Sequence, residues 1–319
     1  MIGLGRWVAG LLGVGLLAAG VAEAGQLWVT NTHGGTVSVI DTGTLRVIET
    51  FRVDGRKPNR IAFTPDGRYA YITNDGSRDL TLVEVATRKS IKRFRAGEIP
   101  YNQRPSPDGR LLYVLDWGEG FVLLLNAQTL TEEARVEVGT WPAHLIFSGD
   151  GRLAYVSSET AGAIWAIDTQ TRQTAAILPA GADAMGMALT PDGRFLYYSN
   201  GEARSVSKVE TATHRVLTLI PVGGIVHEVA LTPDGQYLYA TLRKENKLAI
   251  IRTEDDSLAR TLTLDRYPDL VLMDPETGYA FVTNRQANLV TVLDTRSHTV
   301  VTKIPVGHGP HGMAFLPTR

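Results

Sequence analysis

The stretch RIAFTPDGRYAYITN, residues 60–74, decides the fold. Two alternating apolar runs flank Pro65-Asp66-Gly67, in which Asp and Gly serve a tight turn, so the segment reads as a β-hairpin. The tripeptide returns as Pro107-Asp108-Gly109, Gly149-Asp150-Gly151, Pro191-Asp192-Gly193 and Pro233-Asp234-Gly235. It then degrades to Pro275-Glu276-Thr277 and ends at Pro317. Each step is 42 residues, and seven such units fill the 294 residues from Gln26 to Arg319. The first unit is one residue longer near Asp54, and the last is one shorter.

Working outward from the turn, one unit holds four strand-like runs: Arg60 to Thr64, Tyr69 to Thr73, Leu80 to Val85 and Ser90 to Arg95. Four short strands at a period near 42 describe a propeller blade. The expected fold is therefore all-β, a seven-bladed β-propeller in one domain over residues 25–319. Gln26 opens on the second strand of a unit, and the chain finishes with a lone first strand, His311 to Phe315. Termini that share a blade would close the ring by hydrogen bonds and remove two open edges.

Lys plus Arg is 32 against 33 for Asp plus Glu, giving a formal charge of −1. No global field attracts a polyanion. The absence of cysteine removes disulfides, thiolate zinc sites, iron–sulfur clusters and cysteine nucleophiles. Residues 1–24 read as a secretory signal, with Arg6, an apolar run from Trp7 to Val21, and Ala22-Glu23-Ala24 in the A-x-A pattern. An exported, periplasmic or secreted protein is expected, with no membrane span after cleavage. A monomer is expected as well.

Trp28-Val29-Thr30-Asn31, Tyr71-Ile72-Thr73-Asn74 and Phe281-Val282-Thr283-Asn284 resemble the name-giving motif of the YVTN-repeat β-propeller family. Val37 to Thr42 and Val290 to Thr295 are similar to its third strand. The resemblance spans the whole repeat region. It implies the propeller fold and is similar to two exported groups, the YncE-type periplasmic propellers and the propellers associated with PQQ-dependent catabolism. The first implies a nucleic-acid or partner surface, the second an accessory role.

The face bearing the Pro-Asp-Gly turns repeats Asp-Gly-Arg and reads as solvated scaffold. Across from it, the residues opening the innermost strands vary from unit to unit: Asn59-Arg60, Tyr101-Asn102, Ala143-His144, Met185-Gly186, His227-Glu228, Asp269-Leu270 and His311-Gly312. Nearby loops add Trp117, Trp141, Glu159, Arg243, Arg285 and His308. These residues are expected to ring the channel mouth where a ligand enters. Gln103 and Arg104 stand out, because the six equivalents of Arg104 are Ala62, Ile146, Ala188, Ala230, Leu272 and Ala314. A guanidinium among apolar groups needs an acid or a water-filled channel, and Asp116 and Glu159 are the candidate acids.

His144, His227 and His311 invite a metal reading, but strands several blades apart start too far from one another, and no metal is assigned. No cofactor is predicted. There is no G-x-S-x-G elbow, P-loop or H-E-x-x-H. The leading expectation is a non-enzymatic binding or accessory propeller that meets a protein or small molecule at the channel mouth. A lactonase-like or tetrapyrrole-handling enzyme on the same face is the alternative, with His227, Glu228, His311 and Arg104 as acid/base and charge-stabilising groups. Single-stranded DNA binding is the third. It requires Arg60, Arg243 and Arg285 to join Tyr101, Trp117 and Trp141 in one stacking patch, and the neutral charge counts against it.

Overall fold

Each Pro-Asp-Gly turn is locked by the residue before its proline. The Thr64 hydroxyl donates to Asp66 Oδ1 at 2.6 Å and accepts the Tyr69 N–H at 3.1 Å, while the Arg68 N–H reaches the same carboxylate at 3.0 Å. Gly67 takes the left-handed conformation, φ 64°, that closes the hairpin. Ser106, Ser148, Thr190 and Thr232 repeat the lock in four more units. The computed structural model describes residues 25–317, so the signal-like segment 1–24 lies outside the described residues.

The hairpins assemble into seven four-stranded antiparallel sheets arranged as a ring, and no helix occurs among the described residues. Blade 1 joins the two ends of the chain. Its innermost strand, Pro310–Phe315, pairs with Gln26–Asn31, which is followed by Thr36–Asp41 and Arg46–Arg52. The closing register sets Leu27 against Phe315, Trp28 against Ala314 and Val29 against Met313. Blades 2 to 7 then follow in chain order, their innermost strands beginning at Pro58, Pro100, Pro142, Met187, Val226 and Pro268.

The apolar core lies in the seams between blades, not within any one sheet. Trp28 of blade 1, fully buried, meets Phe63 of blade 2 edge-on at 5.0 Å, and Val37, Val39, Ile61 and Ile72 pack around them. A seam of this kind stabilises by about 1.5–3 kcal/mol for each large side chain buried.

A second clasp fixes the geometry near the axis. Six of the seven innermost strands start with a register shift, for instance between Pro58 and Ile61. A bulge of this kind re-aims the side chains beside it. The motif threonine stabilises it. Thr73 Oγ1 accepts the Arg60 N–H at 3.0 Å and donates to the Tyr101 carbonyl of the next blade at 3.0 Å. Thr241 does the same between Glu228 and Asp269, and Ser157 between His144 and Met185. Blade 3 carries Leu115 at this position and has no hydroxyl. There Asn102 substitutes, with Nδ2 donating to the Ala143 carbonyl at 3.0 Å and Oδ1 accepting the Gln103 N–H at 2.8 Å.

Candidate functional site

The re-aimed residues close the axis at the loop face. Asn59, Tyr101, Ala143, Met185, His227, Asp269 and His311 form one row, and each is more than nine-tenths buried. This corrects the expectation of a ligand mouth there, because large side chains from neighbouring blades meet over the axis and fill it. The open volume, about 670 Å³, lies on the other side. Its lining runs from Arg60, Asn102, His144 and Glu228 down to Phe63, Leu231, Met273 and Phe315 and reaches Pro65, Pro107 and Pro317. The channel is thus blind at its loop end and opens at the Pro-Asp-Gly face, which had read as scaffold.

Asp269 is the hub of the plug. It is fully buried, accepts from His311 Nδ1 at 2.6 Å, lies 3.4 Å from His227 Nδ1, and forms ion pairs with Arg243 and, at 3.6 Å, with Arg285. Burial alone would raise its carboxyl pKa. His311, His227 and Arg243 outweigh that and hold it well below the usual carboxylate range. Burial also pushes His311 down to about 4 and His227 well below the ordinary imidazole value. Neutral imidazoles around an anionic Asp269 describe the plug. His227 and His311 therefore serve a carboxylate, while His144 lies beside Glu228 at 3.8 Å. Among the described residues, no three His, Asp or Glu side chains are placed to share a metal ion.

Beneath the plug, the blind end collects charges of both signs. Arg60 NH1 is 3.7 Å from Glu228 Oε2, both side chains being largely buried. Glu228 Oε1 also accepts the Val229 N–H at 3.2 Å. Desolvation raises the Glu228 pKa to about 7, the nearby Arg60 opposing the rise. Room for this carboxylate comes from Gly186, where a Cβ would collide with it. The innermost strand of blade 5 spans only Met187–Leu189.

Arg104 projects into the lumen of the channel and is exposed there. No acid among the described residues forms an ion pair with it. Glu228 is the acid whose field it feels, and Arg60 opposes that field. The proposed partners are elsewhere. Asp116 is a loop cap that accepts the N–H groups of Glu98, Ile99 and Gly118 at 2.7–3.0 Å. Its place in the repeat is that of Asn31 and Asn74, which bind their own hairpins. Glu159 lies toward Asp183 and Arg243, its pKa raised by burial and then by Asp183. Gln103 is an inter-blade link, donating to the Arg60 and Tyr71 carbonyls at 3.3 and 2.7 Å.

The aromatic candidates do converge. Tyr101 stacks on Trp117 at 3.9 Å, and Trp117 on Trp141 at 5.5 Å, with Trp141 half exposed at the loop face. Arg60 lies over the Tyr101 ring at 5.7 Å, but Arg243 and Arg285 are committed to Asp269. The patch required for single-stranded DNA is therefore split, its rings on blades 3 and 4 and two of its three cations in the plug. Trp141 has φ 60°, as do its repeat equivalents Lys57, Asp183 and Tyr267 within a few degrees, so the conformation belongs to the blade frame. His308 is exposed and lies 5.2 Å from the His33 ring, away from the channel.

Comparison with known proteins agrees with this architecture. Residues 96–226 match the family described as Lactonase, 7-bladed beta-propeller. Comparison with curated proteins returns no match. Among solved structures the chain is similar to hydrazine synthase of Kuenenia stuttgartiensis, with 25% identity and a TM-score of 0.73 over 82% of this chain and 90% of that one. It is also similar to a putative 6-phosphogluconolactonase of Bacteroides fragilis, at 14% identity and TM-score 0.77 over 94% and 99% of the two chains. Dihydro-heme d1 dehydrogenase NirN in complex with DHE gives 17%, 0.65, 91% and 74% in the same terms. The last two likenesses show the propeller fold alone, and over residues 96–226 the chain is similar to lactonase-type propellers.

Proposed function

We propose that this chain is an exported binding propeller that holds the anionic group of a small molecule at the blind end of its central channel. Arg104 carries the reading. Its guanidinium stands in the lumen without an ion-pair partner among the described residues, at a position where six blades place Ala, Ile or Leu. Arg60 Nε at the same end is buried without a hydrogen-bond partner. A donor left unsatisfied in a buried site costs about 1–3 kcal/mol, which an anion would recover. Export rests on the pattern of residues 1–24. The test is calorimetric titration of the purified protein with acetate, octanoate, succinate and inorganic phosphate at pH 6. At least one should bind, and Arg104→Ala should abolish that binding. Silence from all four would overturn the reading.

Hydrolysis of a lactone ring by the same cluster is the second reading. Glu228, its pKa pushed up to about 7, suits a general base for water, and Arg60 and Arg104 suit a developing oxyanion. The lactonase-type match favours this reading, although the matched residues end just before Glu228. Turnover of δ-valerolactone that Glu228→Gln abolishes would favour hydrolysis over simple binding.

A further inference from the structure

The blind end resolves into one paired and one unpaired cation. Arg60 faces Glu228 at 3.7 Å, whereas Arg104 has no carboxylate within ion-pair reach among the described residues. A single uncompensated guanidinium, planar and forked, matches one carboxylate in a two-point contact. Where Glu228 is ionised, above about pH 7, a second negative charge on the ligand would meet its carboxylate. At Arg104's own level the wall is hydrocarbon: Ala62, Ala188, Ala230 and Ala314 leave space on four blades, and Ile146 and Leu272 line the other two. Between that level and the mouth the lining side chains are mostly apolar, with Ser106 among them. The mouth itself is bordered by Phe63, Met273 and Phe315. The volume of about 670 Å³ lies in the range that takes drug-sized ligands.

Resting on the anion-binding reading above, we infer that the ligand is an amphiphilic monocarboxylate that enters head-first from the Pro-Asp-Gly face, with its carboxylate on Arg104 and its apolar body directed toward Phe63, Leu231, Met273 and Phe315 at the mouth. The plug of Tyr101, Met185, His227, Asp269 and His311 bars the loop face, so the polar head stops where the donors are.

A chain-length series at pH 8, where Glu228 is ionised, decides the matter: acetate, hexanoate, octanoate and decanoate by calorimetry, with octanol, octylamine, succinate and phosphate alongside. Each added methylene is expected to tighten binding by up to about fourfold, giving up to about sixteenfold for each two carbons. Octanol and octylamine should not bind, succinate and phosphate should bind more weakly than octanoate, and Arg104→Ala should cost octanoate at least tenfold. If acetate, succinate or phosphate binds as tightly as octanoate, this inference falls and the anion site stands. If no anion binds at all, the anion site falls with it. Orientation is read from Met273→Ala at the mouth, which should weaken decanoate more than hexanoate. Equal losses, or none, would overturn head-first entry. Trp141→Ala, at the loop face, serves as the control and should leave octanoate affinity unchanged, while a loss there would place entry at the loop face and overturn the assignment.

Discussion

Glu228→Gln should stabilise the protein, and by an amount that grows with pH. Burial raises this carboxyl from an ordinary value of 4.5 to about 7. Between those two values the unfolded chain has released its proton and the folded chain has kept it. Folding therefore binds the extra proton, and stability is lost as pH rises from about 4.5 to about 7, then levels off. At about 1.4 kcal/mol per pH unit, the cost reaches about 3 kcal/mol above pH 7. Glutamine has nearly the same shape and can still accept the Val229 N–H, but it carries no charge to desolvate. For about 290 ordered residues the unfolding entropy is about 0.6 kcal/mol/K, so 3 kcal/mol corresponds to about 5 °C. Thermal melts followed by circular dichroism at pH 5 and pH 8 are the assay. The variant should melt within about 1–2 °C of wild type at pH 5 and about 5 °C higher at pH 8. A gap that is the same at both pH values, or a variant less stable at pH 8, would show that Arg60 already compensates the charge.

Arg104→Ala should keep or raise the melting temperature, because no acid loses a partner; a loss of about 3–5 kcal/mol in chemical denaturation would reveal a structural ion pair instead. Thr73→Val removes both the acceptor for the Arg60 N–H and the donor to the Tyr101 carbonyl, and should cost about 2 kcal/mol in the same measurement; an unchanged midpoint would deny the clasp its role. Deletion from His311 onward strips blade 1 of its innermost strand and should open the ring, seen as an expanded small-angle scattering profile. A truncated protein with native compactness and melting temperature would contradict closure through the shared blade.

Fold and site were legible in the sequence to different depths, for a physical reason. The 42-residue period, the turn tripeptide and the orphan strand at His311 to Phe315 are properties of each unit's backbone, and backbone requirements repeat. They announce themselves by recurrence. The anomaly at Arg104 was legible by the same comparison, as a deviation from six apolar equivalents. What recurrence cannot report is where a variable side chain goes once the bulge re-aims it. Asp116 looked like a channel acid, yet it occupies the motif asparagine position and binds its own loop. Asn102 looked like a ligand contact, but its work is that of the missing threonine at Leu115. That substitution leaves a trace in sequence: a hydroxyl lost at one motif position and an amide gained 13 residues earlier. Gly186 was equally silent. Its meaning is the volume it leaves for Glu228, a residue one blade away.

The direction of the channel follows from how the same frame distributes charge. At the loop face the bulges bring Asp269, His227 and His311 over the axis, and the guanidinium groups of Arg243 and Arg285 converge on one carboxylate with partial access to water. Those cations are occupied and hydrated, so an anion approaching from that side gains little from them. One row deeper, Arg104 stands exposed in the lumen, level with the apolar side chains of the six other blades, and meets no ion-pair partner among the described residues. Low-dielectric walls focus the field of such a cation along the open axis. That axis leads to the Pro-Asp-Gly face. The recurrence of the turn sequence in five of the seven units, with one Gly for Pro, is compatible with this, since an entrance needs no specific contacts when the discrimination is made at the far end, by Arg104 and, above about pH 7, the carboxylate of Glu228.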